Sequence, residues 1–125
     1  MENVPAQHRY LIEQLTERGF VASFRQWAMG DTVWVCAGEV FERPSYLEDG
    51  QPFQVFERCA YLVPTEDGLW RVDLSAVSGD SSAPADAAIE RVTLLLRDQD
   101  TYEREFHRLA RLWEELREKR DRPRT

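Results

Sequence analysis

Residues 32–63 read TVWVCAGEVFERPSYLEDGQPFQVFERCAYLV, and this stretch decides the fold. Two runs rich in β-branched and aromatic residues flank a polar segment, Pro44-Ser45-Tyr46-Leu47-Glu48-Asp49-Gly50, whose Asp-Gly is a turn signal. The pattern predicts a long antiparallel hairpin with strands over about 32–42 and 52–63. Symmetry about the 44–51 loop sets Cys36 opposite Cys59 and Trp34 opposite Tyr61.

Working outward, residues 20–29 form an aromatic-rich strand ending at Gly30-Asp31, a type II′ hairpin signal. That turn pairs Trp27 with Trp34, Arg25 with Cys36 and Val21 with Val40. Downstream, Pro64-Thr65-Glu66-Asp67-Gly68 is a second turn, and a fourth strand runs over 69–75 through Trp70, Val72 and Leu74. Side chains alternate across a sheet. One face then holds Val21, Trp27, Trp34, Cys36, Val40, Phe53, Val55, Cys59 and Tyr61. The other holds Phe20, Phe24, Val33, Val35, Phe41, Phe56, Ala60 and Leu62. Both sets are apolar, whereas an antiparallel sheet usually solvates one face. Helices are expected on one face, and a helix, a second copy or a partner on the other.

The helices follow from the 3.6-residue period. His8, Leu11, Ile12 and Leu15 make one stripe of a helix over 5–18, with Gly19 suited to end it. Ala85, Ile89, Val92 and Leu96 mark a helix over 84–97, with Ser82 as its expected cap. Asp100-Thr101-Tyr102-Glu103 fits an acidic capping box. After it, Tyr102, Phe106, Leu109, Trp113 and Leu116 carry a third helix to about residue 119. The reading is α+β in the order α-β-β-β-β-α-α: a single domain over 1–119, with 120–125 a frayed tail.

The formal charge of −7 is concentrated. Residues 1–30 are neutral, and 81–125 carry ten bases against ten acids. Residues 31–80 carry ten acids against Arg43, Arg58 and Arg71, which is the whole −7. Such a balance argues against nucleic acid or an anionic membrane as direct partner, because phosphate binding needs a basic footprint. No apolar run approaches the ~20 residues of a membrane span. Met1-Glu2-Asn3-Val4-Pro5 offers no secretory n-region, so a cytoplasmic location is expected. Fifteen Arg against one Lys (Lys119) suggest a GC-rich bacterial gene. In a reducing compartment Cys36 and Cys59 are expected to be buried, inert thiols.

No motif for a cofactor, a metal or nucleophilic catalysis occurs. His8 and His107 are far apart on helices, and no Gly-x-Ser-x-Gly or Walker pattern is present. His8 reads as a packed core histidine. Glu39 and Glu57 interrupt apolar strands. Buried, they would serve acid–base chemistry; otherwise they reach solvent or pair with Arg25, Arg43 or Arg58. A curved sheet with Trp27, Trp34 and Tyr61 inside, beside Glu39 or Glu57, would make a small-ligand pocket. The six residues Asp67-Gly68-Leu69-Trp70-Arg71-Val72 resemble the turn and aromatic strand of cone-shaped folds of the nuclear-transport-factor-2 type, whose helix order differs from this one.

Acids beside aromatics in two turns look like a binding surface: Tyr46, Glu48 and Asp49 in one, Glu66, Asp67 and Trp70 in the other. The expected function is therefore not enzymatic. It is recognition, and neutralisation, of a basic protein partner such as a toxin, effector or nuclease, in the manner of an immunity protein, antitoxin inhibitor or nucleic-acid mimic. The alternatives are a secretion-chaperone-like homodimer holding an effector segment, a Trp-lined ligand or enzyme pocket, and charge that serves solubility alone.

Overall fold

The computed structural model describes residues 4–27, 30–43, 53–66, 68–74 and 77–121. The elements in chain order are α1 (Ala6–Glu17), β1 (Val21–Trp27), β2 (Gly30–Arg43), β3 (Phe53–Pro64), β4 (Leu69–Leu74), β5 (Ser82–Pro84), α2 (Ala85–Arg97) and α3 (Gln99–Asp121). The strands form one antiparallel meander, β1-β2-β3-β4-β5. The α+β reading holds, with a short fifth strand added where a loop was expected.

α1 ends as its sequence dictates. Gly19 adopts φ +92°, and the two bonds of a Schellman motif follow: Gly19 N donates to Thr16 O (3.0 Å) and Phe20 N to Leu15 O (3.1 Å). Its stripe of His8, Leu11, Ile12 and Leu15 is buried. Arg18 ties this end to α2, donating to Thr93 Oγ1 at 3.0 Å and pairing with Glu90 at 2.7 Å. The two other caps fall elsewhere than predicted. Pro84 occupies the N-cap position of α2, while Ser82 sits in β5 and accepts from Thr65 Oγ1. α3 starts earlier, because Asp98 Oδ2 accepts the Thr101 backbone N–H at 3.1 Å.

The first hairpin also differs. Val21 pairs with Cys36, Arg25 with Thr32 and Trp27 with Gly30, so Gly30-Asp31 open β2 instead of forming the turn. Thr32 Oγ1 donates to Arg25 O and His8 Nε2 donates to Asp31 O, which anchors the start of β2 on α1. Each β1 residue meets a partner four positions nearer the turn than predicted. That is an even slip, so no side chain changes face. The second hairpin has the predicted register from Val33 to Ala37, with Cys36 opposite Cys59 and Trp34 opposite Tyr61. Beyond a bulge it is shifted by one, so Val40 meets Phe56 and Phe41 meets Val55, and the predicted grouping of Val40 with Val55 on one face fails there.

α1 and α2 pack on the face holding Val33, Val35, Ala60, Leu62, Trp70, Val72 and Leu74, all buried. The opposite face is not the apolar surface the alternation suggested. Ser23, Arg25, Thr32, Arg71 and Asp73 share it with Trp34, Cys36, Cys59, Tyr61 and Val63. Asp73 is buried there, held by Arg71 at 2.7 and 2.9 Å and by the Gly79 N–H at 2.8 Å. The bond to Gly79 fixes the connection leaving β4.

Candidate functional site: an acidic hairpin arm

β2 and β3 are much longer than their neighbours. β1 begins at Val21, opposite Cys36, and β4 ends at Leu74, opposite Ala60. Beyond those points, among the described residues, β2 pairs only with β3, from Ala37↔Arg58 through Val40↔Phe56 to Arg43↔Phe53. The result is a two-stranded arm running past the sheet for roughly 20 Å, at the usual rise per strand residue.

The root of the arm is a built corner. The register shifts by one residue between Ala37 and Val40, a β-bulge, and Gly38 takes φ +90° there. A Cβ on Gly38 would lie 2.6 Å from Glu57 Oε2 and 2.7 Å from Glu57 Cβ, so the position also lacks room for a side chain. On the β3 side, β4 has ended and Cys59 would lack partners on its outer edge. Tyr102 of α3 supplies them: its hydroxyl donates to Cys59 O (2.8 Å) and accepts from Cys59 N (3.3 Å). Arg58 turns inward beside it. Its Nε donates to Leu96 O and its Nη1 to Gln99 Oε1, both at 2.8 Å, satisfying the carbonyl end of α2. Glu57 Oε1 lies 3.5 Å from the same guanidinium. Burial pushes the Tyr102 hydroxyl pKa up, so it stays a donor.

Charge is distributed unevenly between root and arm. Asp73 is neutralised by Arg71, and Asp80 by Arg108 of α3 at 2.8 Å. From Ala37 to Arg58, five acids (Glu39, Glu42, Glu48, Asp49, Glu57) face two bases in the sequence, Arg43 and Arg58, leaving −3 of the total −7. Nearly half of the net charge of residues 31–80 thus falls on the arm segment.

The predicted site residues separate. Trp70 is a correction: it is 2% exposed, under α1, with its ring 4.9 Å from that of His8. Its position in β4 opposite Pro64 puts it on the helix side, so it is core and not an exposed anchor. Glu66 is exposed in the β3–β4 turn. Tyr46, Glu48, Asp49 and Asp67 lie outside the described residues, as do the side chains of Trp27 and Glu39. Of the proposed pocket, Trp34 and Tyr61 are paired neighbours, both half-buried, and Glu57 is exposed. Arg25 lies over the Trp34 ring at 4.9 Å. Burial pushes the Tyr61 hydroxyl pKa up. A groove of about 510 Å³ lies elsewhere, between α3 and residues 78–80. Sequence reasoning missed Asp73 and Tyr102, and it named Arg58 only as a possible partner of Glu39 or Glu57. The Arg71-Val72-Asp73 spacing was the one available signal, since i and i+2 share a strand face.

No helix among the described residues is long and apolar enough to cross a membrane, and no cluster of metal-binding side chains occurs among them. Compared with known proteins, the chain matches no family model, no curated protein and no solved structure.

Proposed function

We propose that this protein is a binding module that recognises a basic partner protein through the β2–β3 arm and neutralises it. The observation carrying this reading is the overhang: a two-stranded ribbon which, among the described residues, pairs with no other strand, on the segment that holds −3 of the −7. A lone hairpin is marginal in water, and a charged strand pair projecting from a rigid root is suited to lie in a basic cleft. Acidic fields accelerate such encounters and make them salt-sensitive. A nuclease, toxin or effector has a cleft of that kind.

The test is affinity capture from the native host at low salt, with the wild type beside E39Q/E42Q/E57Q. The expected result is a basic protein held by the wild type, released by high salt and lost by the variant, whose activity falls when the wild type is added. Equal capture by both proteins would sink the reading.

A second reading attaches to α3. Beyond Leu109 its stripe leaves the domain, and Trp113 and Leu116 are exposed. Two antiparallel copies of α3 would bury this stripe between them in an isologous contact. Sedimentation decides this: a dimer that W113E converts to monomer supports it, and a monomeric wild type at micromolar concentration refutes it.

A further inference from the structure

We propose that Cys36 and Cys59 are a working dithiol at the root of the arm, a modification site that closes to a disulfide by exchange with a low-molecular-weight disulfide. The geometry comes from backbone pairing. Cys36 and Cys59 are direct cross-strand partners. The N–H and C=O of a strand residue point to the same side, and both groups of Cys59 go to the Tyr102 hydroxyl, away from β2. The pair is therefore the non-hydrogen-bonded kind, in which Cα atoms approach to about 4.5 Å and side chains are closest. That spacing lies at the short end of the disulfide range. The two sulfurs are in contact, 2.7 Å apart.

The two thiols are unequal. Cys36 is wholly buried, and Cys59 is half-buried. The Cys36 thiol pKa is pushed up, first by its hydrogen bond to Cys59 and then by burial, so Cys36 stays protonated. Cys59 is thus the sulfur that meets an incoming disulfide. Its thiolate attacks one sulfur of the small disulfide, forming a mixed disulfide and releasing one small thiolate. Cys36 then gives up its proton and attacks the Cys59 sulfur, releasing the second. The protein loses two electrons and two protons, and the small disulfide is reduced to two thiols.

The pair sits one residue before the bulge region, where the sheet-supported part of β2 becomes the arm. A bond there fixes the register at the arm's base by covalent means. The chemistry does not depend on what the arm binds.

The test exposes the folded protein to oxidised glutathione and reads mass and peptide maps over time. The expected product is a monomer lighter by two hydrogens, with Cys36 joined to Cys59 and a transient single adduct on Cys59. C36S should stop at a lasting adduct on Cys59, and C59S should take none. Should C36S fail to fold, the transient adduct in the wild type carries the same information. The proposal is overturned if the folded wild type keeps both thiols while the urea-unfolded chain oxidises. A stable adduct on wild-type Cys59 with no closure overturns it equally.

Discussion

β2 and β3 pass through two environments along their own length. From Val33 to Cys36 and from Cys59 to Leu62, they are flanked by β1 and β4 and backed by helices, and Val33, Val35, Ala60 and Leu62 are buried completely. From Ala37 to Arg43 and from Phe53 to Arg58, among the described residues, they pair as strands only with each other. The same strand propensity serves both halves. Stability resides in the root, where apolar area leaves water at about 25 cal/mol per Å². The arm segment carries −3 of the −7.

The sharpest way to break that comparison is to damage each half in turn. Trp70→Ala in the root should cost about 3–5 kcal/mol in urea unfolding, the usual loss for a buried aromatic. Replacing residues 41–55 by Asn-Gly should change stability by less than about 1 kcal/mol, since a lone hairpin contributes little. Comparable losses would mean that the arm is part of the core.

Next in size is Asp73→Ala. It strands the Arg71 guanidinium and the Gly79 N–H, and leaving such groups unsatisfied costs about 2–3 kcal/mol. A loss near zero would show that water replaces the carboxylate. Gly38→Ala tests the corner between the halves. Positive φ together with the close approach of Glu57 should cost about 1–2 kcal/mol. Amide exchange should accelerate in the arm and not in the root. Uniform acceleration would place the bulge within the root's cooperative unit.

The smallest effect is electrostatic. Arg108 holds the Asp80 carboxyl below its ordinary value, chiefly through their hydrogen bonds. The folded state then binds that proton less tightly than the unfolded chain. The contribution is present above about pH 4, the unfolded value, and fades as pH falls through the lower folded value. Both side chains are about a third exposed or more, so the gain is screened to below ~1 kcal/mol. Arg108→Ala should flatten this small acid dependence in urea midpoints between pH 5 and about pH 2. An unchanged slope would assign it to other carboxylates.

How much was legible in the sequence varies by element. α1 was readable to within a residue, because Gly19 and the Leu11–Leu15 stripe are local signals. The second hairpin was readable through its symmetry as far as Ala37; past it the bulge shifts the pairing by one. The first was misread by two residues at the turn: Gly30-Asp31 is a good local turn, but His8 and Thr32 hold β2 in another register. Trp70 looked like an anchor because its neighbours are polar turn residues, and the strand's alternation turns it inward.

Composition and periodicity by themselves determined the α+β order, the meander and the charge of the middle segment, since these depend on neighbours a few residues apart. Tertiary structure decided which acids are spent on internal pairs, as Asp80 is on Arg108, twenty-eight positions away. It also decided where β1 and β4 stop along β2 and β3. Strand ends are set by what helices and turns leave uncovered, and that depends on contacts between residues remote in the chain, such as Tyr102 with Cys59.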